Sequence, residues 1–333
     1  MNVLERIRQG IFVMDGAMGT QIQARALPRD AWQGKEGCNE LLNLTAPDII
    51  RSIHQAYFDA GSDAVETNTF GSSSLTLGEY ELGGKAFEIS RAGARIAREA
   101  ADAASTPAKP RYVFGSIGPG TKLPTLGQIA FDPLCDALQK QIEGLVDGGA
   151  DALLIETCQD LLQIKAALVA ADKVLGQKHN KLIYVSVTVE QTGTLLIGSN
   201  IGAVAAALSP FPIHALGLNC ATGPEAMRIH LDYLAGNWPG LLACMPNAGL
   251  PVMKAGGVDY PLKPAEFSEL LGRMAREIGL NILGGCCGTS PDHIRALSQA
   301  LAGFGAPPRN VAPPEQASSV FAPMDLTQAP PPL

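Results

Sequence analysis

A repeating unit is the feature that most constrains how this chain can fold. Each unit consists of a short apolar run, a loop rich in Gly, Asn, Thr or Asp, and a helical stretch. The apolar runs are Ile11–Met14, Asp63–Glu66, Tyr112–Gly115, Ala152–Ile155, Leu182–Val187, Ile213–Leu218, Leu241–Met245 and Leu280–Leu283. Eight strand–helix units within about 300 residues predict a (β/α)8 TIM barrel, an α/β fold whose active site lies at the carboxyl ends of the strands. We place this barrel at residues 1–305.

A doubly wound sheet is the alternative α/β arrangement. Such folds usually carry a dinucleotide-binding fingerprint, and the glycines between Gly115 and Gly120 have the wrong spacing for one. The helix starts also fit the barrel, and the last is marked by Ser290 as N-cap with Pro291 as the first helical residue. The other helices are expected to begin near Pro47, Lys85, Asp132, Asp160, Ala203 and Pro224.

Charge and cysteine content limit the classes of partner. A net charge of −7 and a pI near 5.3 argue against binding to nucleic acid or to an anionic membrane. The start of the chain has no signal-peptide core, and no run of about 18 apolar residues suggests a membrane span. Seven scattered cysteines are not a disulfide framework. We therefore expect a cytoplasmic protein with reduced thiols, in which clustered cysteines indicate a metal site or catalysis.

The stretch Gly284–Thr289, with the sequence GGCCGT, places two adjacent cysteines at the end of the eighth run. In a regular strand Cys286 and Cys287 would point to opposite faces. The flanking glycines permit an irregular backbone that could turn both sulfurs to one side. A metal site is one interpretation. A tight turn of two buried residues, or a strained vicinal disulfide, is the other.

Cys220 closes the sixth run and is the natural third ligand. The strands that carry Cys220 and Cys286 flank the seventh strand, so their ends lie about 10 Å apart at the usual strand spacing. Three thiolates with a fourth position left open are typical of a catalytic zinc site. Cys158, at the end of the fourth run, is the best alternative ligand. The residues judged less suitable are His214, expected near the bottom of the barrel; His54, His179, His230 and His293, expected on helices; and Cys38, Cys135 and Cys244, expected in packing.

Five motifs resemble the homocysteine S-methyltransferase family, over roughly residues 5–303. They are DGAMGT from Asp15, ETNTFG from Glu66, GLNC ending at Cys220, PNAGLP from Pro246 and GGCCGT from Gly284. Within the family they match best the homocysteine-binding modules of cobalamin-dependent members. The resemblance implies a barrel in which Cys220, Cys286 and Cys287 hold a zinc ion that binds the homocysteine sulfur. It also implies that Asp15 and Glu156 bind the substrate amino group.

Further substrate contacts are expected at the same ends of the strands. Backbone N–H groups of the Gly16–Gly19 loop or of Thr69 could hold the homocysteine carboxylate. Asn219, next to Cys220, joins the candidate substrate-binding residues. Asn247, at the top of the seventh strand, could occupy the fourth zinc position when substrate is absent, or could be a turn residue bonded to its own loop.

Residues 306–333 contain eight of the 24 prolines and are expected to form a semi-rigid linker or a strap on the barrel surface. The segment resembles the connection that leads, in cobalamin-dependent members of the family, to a folate-binding module. We expect the chain to be part of a larger or split enzyme, with methylcobalamin as methyl donor, recharged from 5-methyltetrahydrofolate on other modules. A self-contained enzyme that uses betaine or a sulfonium donor is the alternative. A zinc hydrolase or aldolase and a non-catalytic zinc protein are the remaining classes.

Overall fold

The computed structural model describes residues 1–176, 180–254 and 257–327. Eight parallel strands with helices between them form a nearly closed barrel, which confirms the predicted fold. The barrel strands β1 to β8 are Phe12–Val13, Ala64–Glu66, Tyr112–Ile117, Ala152–Cys158, Leu182–Val187, Ala215–Asn219, Leu241–Met245 and Ile282–Leu283. Each overlaps one of the eight apolar runs. The histidine predicted on a helix end at 179 and the prolines at 330–332 lie outside the described residues.

The strands are hydrogen-bonded in the order β1-β8-β7-β6-β5-β4-β3-β2, all in parallel register. The two ends of this order, β1 and β2, are joined through Asp63, whose N–H donates to the Val13 carbonyl at 2.6 Å. The Asp63 carboxylate accepts in return from the Val13 N–H at 2.9 Å and pairs with Arg6 at 2.8 Å. A partly buried ion pair at the base of the barrel thus supports the junction of the two end strands.

The helices pack around the outside of the strands. In chain order α1 to α12 are Val3–Arg8, Met18–Gln23, Leu42–Thr45, Pro47–Ala60, Ser74–Gly78, Ala86–Ala104, Phe131–Asp147, Leu161–Leu175, Ile201–Leu208, Pro224–Asn237, Pro264–Met274 and Pro291–Ala300. Four of them begin with proline, which suits the first helical turn because its missing N–H would have no helical partner. The helix after β7 starts only at Pro264, because a two-stranded antiparallel ribbon, Val252–Lys254 with Gly257–Asp259, comes first. We call this element the rim ribbon.

Two apolar layers stabilise the barrel. One fills its interior and includes Phe12, Phe114, Tyr184 and Met245, each at most 3% exposed. The other lies between the strands and the surrounding helices and includes Ile53 and Phe267. Since successive side chains of a strand alternate between these layers, every barrel strand is apolar on both faces until its carboxyl end. Polar side chains therefore stand out where the strands end.

Residues 306–327, called the strap below, run along the outside of the barrel. Arg309 donates to the carbonyls of Ala235, Trp238 and Gly240, at the end of α10. Further along, Gln316–Ser318 pairs with Pro323–Asp325, and the Phe321 carbonyl accepts from the Asn200 N–H at 2.9 Å. Pro323 opens its strand, a position that proline tolerates because it has no N–H to donate. The strap therefore packs against α9 and α10, on the side of the barrel.

Among the helices of the described residues, none is both long enough and apolar enough to cross a bilayer.

Candidate metal centre and substrate pocket

The sulfur atoms of Cys220, Cys286 and Cys287 meet at the carboxyl end of the barrel and lie within 4.8 Å of one another. Cys220 Sγ and Cys287 Sγ are 3.8 Å apart, and all three thiols are free of disulfides. Ligands about 2.3 Å from one zinc ion in a tetrahedron are about 3.8 Å from each other. The spacing of the three sulfurs therefore fits three ligands of one zinc ion.

Unusual backbone conformations bring the sulfurs together. Cys220 and Ala221 have φ of 63° and 55°, in the left-handed region that residues other than glycine rarely adopt. This turn directly follows β6 and bends the chain at the strand end. On the other side, Gly288 has φ of 78°, and a Cβ at Gly285 would lie 2.5 Å from the Thr289 side chain. The glycines of the GGCCGT motif are therefore required by positive φ and by close packing.

Two neighbouring side chains contact the cysteine loop. Asn219 Nδ2 donates to Cys286 Sγ at 3.9 Å, and its amide is fixed by Thr157 and by Ser186 Oγ, which donates to Oδ1 at 2.7 Å. The Tyr260 ring packs on Gly288, the residue after Cys287. Hydrogen bonds from Cys220 and Cys286, with a further one from Tyr260, lower the pKa of Cys287 to about 3, and the same sharing raises the pKa of Cys286. The cluster therefore favours a thiolate even without a cation.

Three carboxylates lie beside the sulfur cluster, at the ends of β1, β2 and β4. Asp15 is 1% exposed, and burial raises its pKa well above the usual range. Burial and the nearby Glu156 also raise the pKa of Glu66, and burial raises that of Glu156 to about 7. Asp15 Oδ1 and Glu66 Oε1 are buried without a hydrogen-bond partner. Unpaired buried carboxylates are costly, so this group is suited to a cation.

The conformation of the backbone determines the direction in which these carboxylates point. Glu156 stands where the pairing of β4 with β5 shifts register between Ile155 and Cys158, and the next residue, Thr157, has φ of 58°. Such a bulge redirects a side chain at the rim of a barrel. Ser116 Oγ donates to Glu156 Oε1, and the Glu66 N–H donates to Asp15 Oδ2 at 3.0 Å. Each of these carboxylates is therefore held by a neighbouring strand.

The sulfurs and two of the carboxylates line one cavity of about 260 Å³. Its wall combines the loop after β1, the ends of β2 and β4, and the two cysteine loops. The lining residues are Gly16–Thr20, Asn39, Glu40, Glu66–Asn68, Phe70, Ser116, Glu156, Thr157, Asn219, Cys220, Met245 and Gly285–Cys287. Asp15 lies immediately behind this wall. The cavity can hold a small molecule with a thiol at one end and an ammonium group at the other.

The predicted site residues differ in how close they come to this cavity. Gly16 and Asn219 line it. Thr69 is not among the lining residues, and both its donors are bonded elsewhere: its N–H donates to the Thr67 carbonyl at 2.9 Å and its hydroxyl to the Ser116 carbonyl at 2.8 Å. Asn247 is 3% exposed, and its Oδ1 has no partner, while its N–H donates to the Thr222 carbonyl. The structure thus leaves one acceptor of Asn247 available beside the cysteine loops.

The rival ligands lie apart from the sulfur cluster. Cys158 is 2% exposed, and its thiol donates to the Glu156 carbonyl instead of facing the other sulfurs. His214 precedes β6, and its Nδ1 accepts from the Ile183 N–H at 3.1 Å. His54 is wholly buried in α4, and His293 forms the capping box of α12 with Ser290. Within the described residues, these side chains are packed or hydrogen-bonded away from the sulfur cluster.

Three residues of the site were not assigned from the sequence. Glu66 closes the second apolar run and opens the motif ETNTFG, so its place at a strand end was a usable signal. The sequence around Ser116 and Tyr260 gave no comparable signal. Ser116 reaches Glu156 only because β3 and β4 are neighbours, and Tyr260 packs on Gly288 only through the path of the chain after the rim ribbon.

Comparison with known sequences identifies relatives of the chain. The family model described as homocysteine S-methyltransferase matches residues 12–301. A methionine synthase of Mycobacterium leprae (strain TN) is 50% identical over 302 residues, which are 90% of this chain and 25% of that protein. A methionine synthase of Mycobacterium tuberculosis (strain ATCC 25618 / H37Rv) is 46% identical over 328 residues, or 98% of this chain and 28% of that protein. The chain spans about a quarter of the length of these curated relatives.

Solved structures agree on the fold. The metallated form of the homocysteine methyltransferase MmuM from Escherichia coli superposes with a TM-score of 0.71 at 23% identity, covering 89% of this chain and 98% of that one. The oxidised form of the same protein gives the same score. At this level of identity the comparison supports the barrel architecture alone.

Proposed function

The chain belongs to the homocysteine S-methyltransferase family, and from that premise we propose that it binds homocysteine through zinc and methylates its sulfur to give methionine. One observation carries the proposal: three cysteine sulfurs within 4.8 Å of one another share a cavity with the carboxylates of Glu156 and Glu66, and Glu66 Oε1 is buried without a hydrogen-bond partner. A thiol and an ammonium group are the two ends of homocysteine. The cavity offers a complementary group for each.

In this proposal Cys220, Cys286 and Cys287 hold the zinc ion. Zinc bound there would stabilise the substrate sulfur as a thiolate, the nucleophilic form that a free thiol with a pKa near 8.5 scarcely populates at neutral pH. Three cysteinates already give the metal centre a net charge of −1, so a further thiolate remains electron-rich. Asn247, with its unpartnered Oδ1, is proposed to fill the fourth position when homocysteine is absent.

The carboxylates are proposed to bind the substrate ammonium group. Asp15 and Glu156 are the residues that the motifs indicated, and Glu66 adds a third carboxylate on the wall between them. An ammonium group would offset their buried negative charge, and it would lower the raised pKa of each. For the substrate carboxylate we propose the backbone N–H groups of the Gly16–Gly19 loop, because Thr69 donates elsewhere.

Methylcobalamin is the proposed methyl donor. It would be carried by a cobalamin-binding module and recharged from 5-methyltetrahydrofolate on a folate-binding module, of the same or a partner chain. The support is the 46–50% identity to methionine synthases, of which this chain matches only a quarter. A betaine or sulfonium donor is the alternative. Quaternary ammonium groups are usually bound in aromatic cages, and the described lining of the cavity includes one aromatic ring, Phe70.

A donor screen tests this function. Zinc-loaded protein and homocysteine would be incubated separately with methylcobalamin, betaine, S-methylmethionine and S-adenosylmethionine, and methionine would be measured. We expect turnover with methylcobalamin. Turnover with betaine or a sulfonium compound, and none with methylcobalamin, would overturn the choice of donor. A hydrolase would instead cleave ester or amide substrates without homocysteine.

A further inference from the structure

The side-chain amide of Asn219, at the end of β6, lies between the wall that carries Glu156 and the cysteine loop. Its Oδ1 accepts from the Thr157 N–H at 3.0 Å and from Ser186 Oγ at 2.7 Å. Its Nδ2 donates to Thr157 Oγ1 at 2.8 Å and to Cys286 Sγ at 3.9 Å. An amide has two donor hydrogens and two acceptor positions. The protein itself therefore uses the whole hydrogen-bonding capacity of Asn219, and this side chain is not free to bind a substrate.

The partners of this amide fix its orientation. The backbone N–H of Thr157 can only donate, so the atom that it meets must be the oxygen of Asn219. The nitrogen then faces Thr157 Oγ1 and the sulfur of Cys286. The backbone of Asn219 is held as well, because Thr188 Oγ1 donates to its carbonyl at 3.0 Å. Asn219 therefore presents an N–H group to the sulfur.

The contact with Thr157 supports an unfavourable backbone conformation. Thr157 has φ of 58° and directly follows Glu156 in the bulge of β4. A residue with a Cβ stays in this conformation only where the surrounding structure enforces it, and Asn219 supplies two hydrogen bonds to Thr157. The same amide contacts Cys286 Sγ. One buried side chain thus connects the bulge that directs Glu156 with the sulfur cluster.

We propose that Asn219 is a positioning residue that fixes Glu156 relative to the Cys286 sulfur, and so makes the site select its substrate by length. Homocysteine and cysteine both carry a thiol and an ammonium group, and they differ by one methylene between them. Only a site whose two ends are held at a fixed separation distinguishes such ligands well. This inference rests on the proposed function.

Calorimetric titration of the zinc-loaded full chain with homocysteine and with cysteine tests this selection. We expect homocysteine to bind about 10- to 200-fold more tightly, the range for one methylene in a fitted pocket. Asn219→Ala should reduce this ratio about 10-fold, the lower end of the effects seen when a residue behind a metal ligand is removed. Thr157→Val should also reduce it, because the bulge loses one of its two bonds to Asn219. Equal affinity of the unsubstituted protein for the two ligands would contradict the inference.

Cobalt-substituted protein tests the contact with Cys286 without any substrate. The sulfur-to-cobalt charge-transfer absorption reports the electron density on the ligand sulfurs, which neighbouring hydrogen bonds lower. Asn219→Ala should shift this band to longer wavelength, because the sulfur loses its N–H donor. Thr157→Val should leave the band in place, since Ser186 and the Thr157 N–H still hold the amide. This difference separates a positioning role from general damage to the site.

Asn281→Ala is the matched control, because the Asn281 amide accepts from the Leu242 N–H at 3.0 Å at the opposite end of the barrel. It should change neither the binding ratio nor the band. Metal content and thermal melting show that the variants remain loaded and folded. An unchanged band or an unchanged ratio in Asn219→Ala would overturn the inference, as would equal changes in Asn281→Ala. Failure of the unsubstituted protein to bind homocysteine would instead contradict the proposed function, and the cobalt spectra would still decide the contact with Cys286.

Discussion

Cys220 illustrates how single residues are adapted to this site. It adopts the left-handed conformation, with φ of 63°, although it has a Cβ that makes this conformation costly. Strain of this kind persists where the surrounding structure enforces it, and it is concentrated at functional sites. Here the strained turn brings Cys220 Sγ to 3.8 Å from Cys287 Sγ. The free energy lost in the backbone would be regained when a metal ion binds.

Substitution of the cysteines is the first prediction at this scale. Changing Cys220, Cys286 or Cys287 to Ala should lower zinc affinity more than about 100-fold, since changes to residues outside the ligand set already cost about 10- to 100-fold. Metal analysis after dialysis against a chelator measures it. Cys135→Ala is the control, and Cys158→Ala tests the rival ligand; both should retain one zinc ion per chain. Full zinc content in all three ligand variants would contradict the assignment.

Glu156 gives a prediction about substrate binding. Glu156→Gln keeps the shape of the side chain but removes the charge that would pair with the homocysteine ammonium group. Loss of one partner of a buried charge pair costs about 2 kcal/mol or more, so the Kd for homocysteine should rise about 30-fold or more. Isothermal titration with homocysteine measures the effect. Binding of 4-mercaptobutyrate, which lacks the amino group, should be unaffected, and so should zinc content. Zinc loss would show instead that Glu156 supports the metal.

The same residue predicts how stability depends on pH. The pKa of Glu156 is about 7 in the folded protein and near 4.3 when unfolded. Because folding raises this pKa, protonated Glu156 stabilises the folded protein at pH values below its unfolded pKa. This stabilisation is lost as the pH rises through about 7. Relative to Glu156→Gln, the metal-free protein should therefore lose up to about 3 kcal/mol between pH 4 and pH 8. Urea unfolding of both proteins under reducing conditions measures it, and a pH-independent difference would contradict it.

Among the elements, the loops after the strands define the site, and the loop after β8 is the most constrained. It contributes two sulfurs, and its Thr289 hydroxyl accepts from the Ala17 N–H at 3.1 Å and donates to the Cys286 carbonyl at 2.6 Å. The Gly285 N–H donates to the Asp15 carbonyl at 2.9 Å. These bonds couple the cysteine loop to the loop that carries Asp15. The cysteine end and the carboxylate end of the cavity are thereby set at a fixed separation.

Gly288→Ala tests this loop. The substitution forces alanine into a φ of 78° and places its Cβ 2.1 Å from the Tyr260 ring. We expect a loss of unfolding free energy well above the about 1–2 kcal/mol of a left-handed alanine, together with weaker zinc binding. Gly303→Ala is the matched control, because Gly303 has φ of 74° and nothing within 4 Å of the added atom. Urea unfolding and zinc titration compare the two, and equal effects would show that backbone strain alone matters.

At the scale of the whole molecule, the barrel separates the site from the strap. The cavity opens at the carboxyl end of the strands, whereas the strap packs along α9 and α10 through Arg309 and Phe321. Burial lowers the pKa of Arg309, and its guanidinium meets three backbone carbonyls at the end of α10. We propose that residues 1–305 form the homocysteine-binding unit and that the strap leads toward the cobalamin- and folate-binding modules.

Removal of the strap tests that division. A chain truncated after residue 305 should bind zinc and homocysteine as the full chain does, but unfold at lower urea concentration. Arg309→Ala in the full chain should lower the free energy of unfolding by about 1.5–3 kcal/mol, the range for hydrogen bonds made by a charged group. Arg91→Ala, which removes an exposed ion pair with Asp147, should cost less than about 1 kcal/mol. Loss of homocysteine binding on truncation would contradict the proposal that residues 1–305 form the homocysteine-binding unit.

Several features could be predicted from the sequence because they depend on neighbours along the chain. Alternating apolar runs and polar loops predict the eight strands, and prolines at Pro47 and Pro224 mark the starts of their helices. The adjacent cysteines and their glycines predict a kinked strand end, because only an irregular backbone turns both sulfurs to one side. Once the barrel is assumed, strand order places Cys220 near Cys286. Local pattern and chain topology thus predict the metal ligands.

Other features depend on how distant segments pack. The Glu66, Asp15 and Glu156 carboxylates come from three strands, and their closeness depends on strand register and on the bulge in β4. Tyr260 follows the rim ribbon, which interrupts the seventh strand–helix unit, and its ring packs on Gly288, next to Cys287. Thr69 lies at the predicted strand end, yet its donors bond to Thr67 and Ser116. The sequence alone determined the barrel and the meeting of the three cysteines at its carboxyl end; the tertiary structure decided which polar groups remain unpaired, because that depends on partners far apart in the chain.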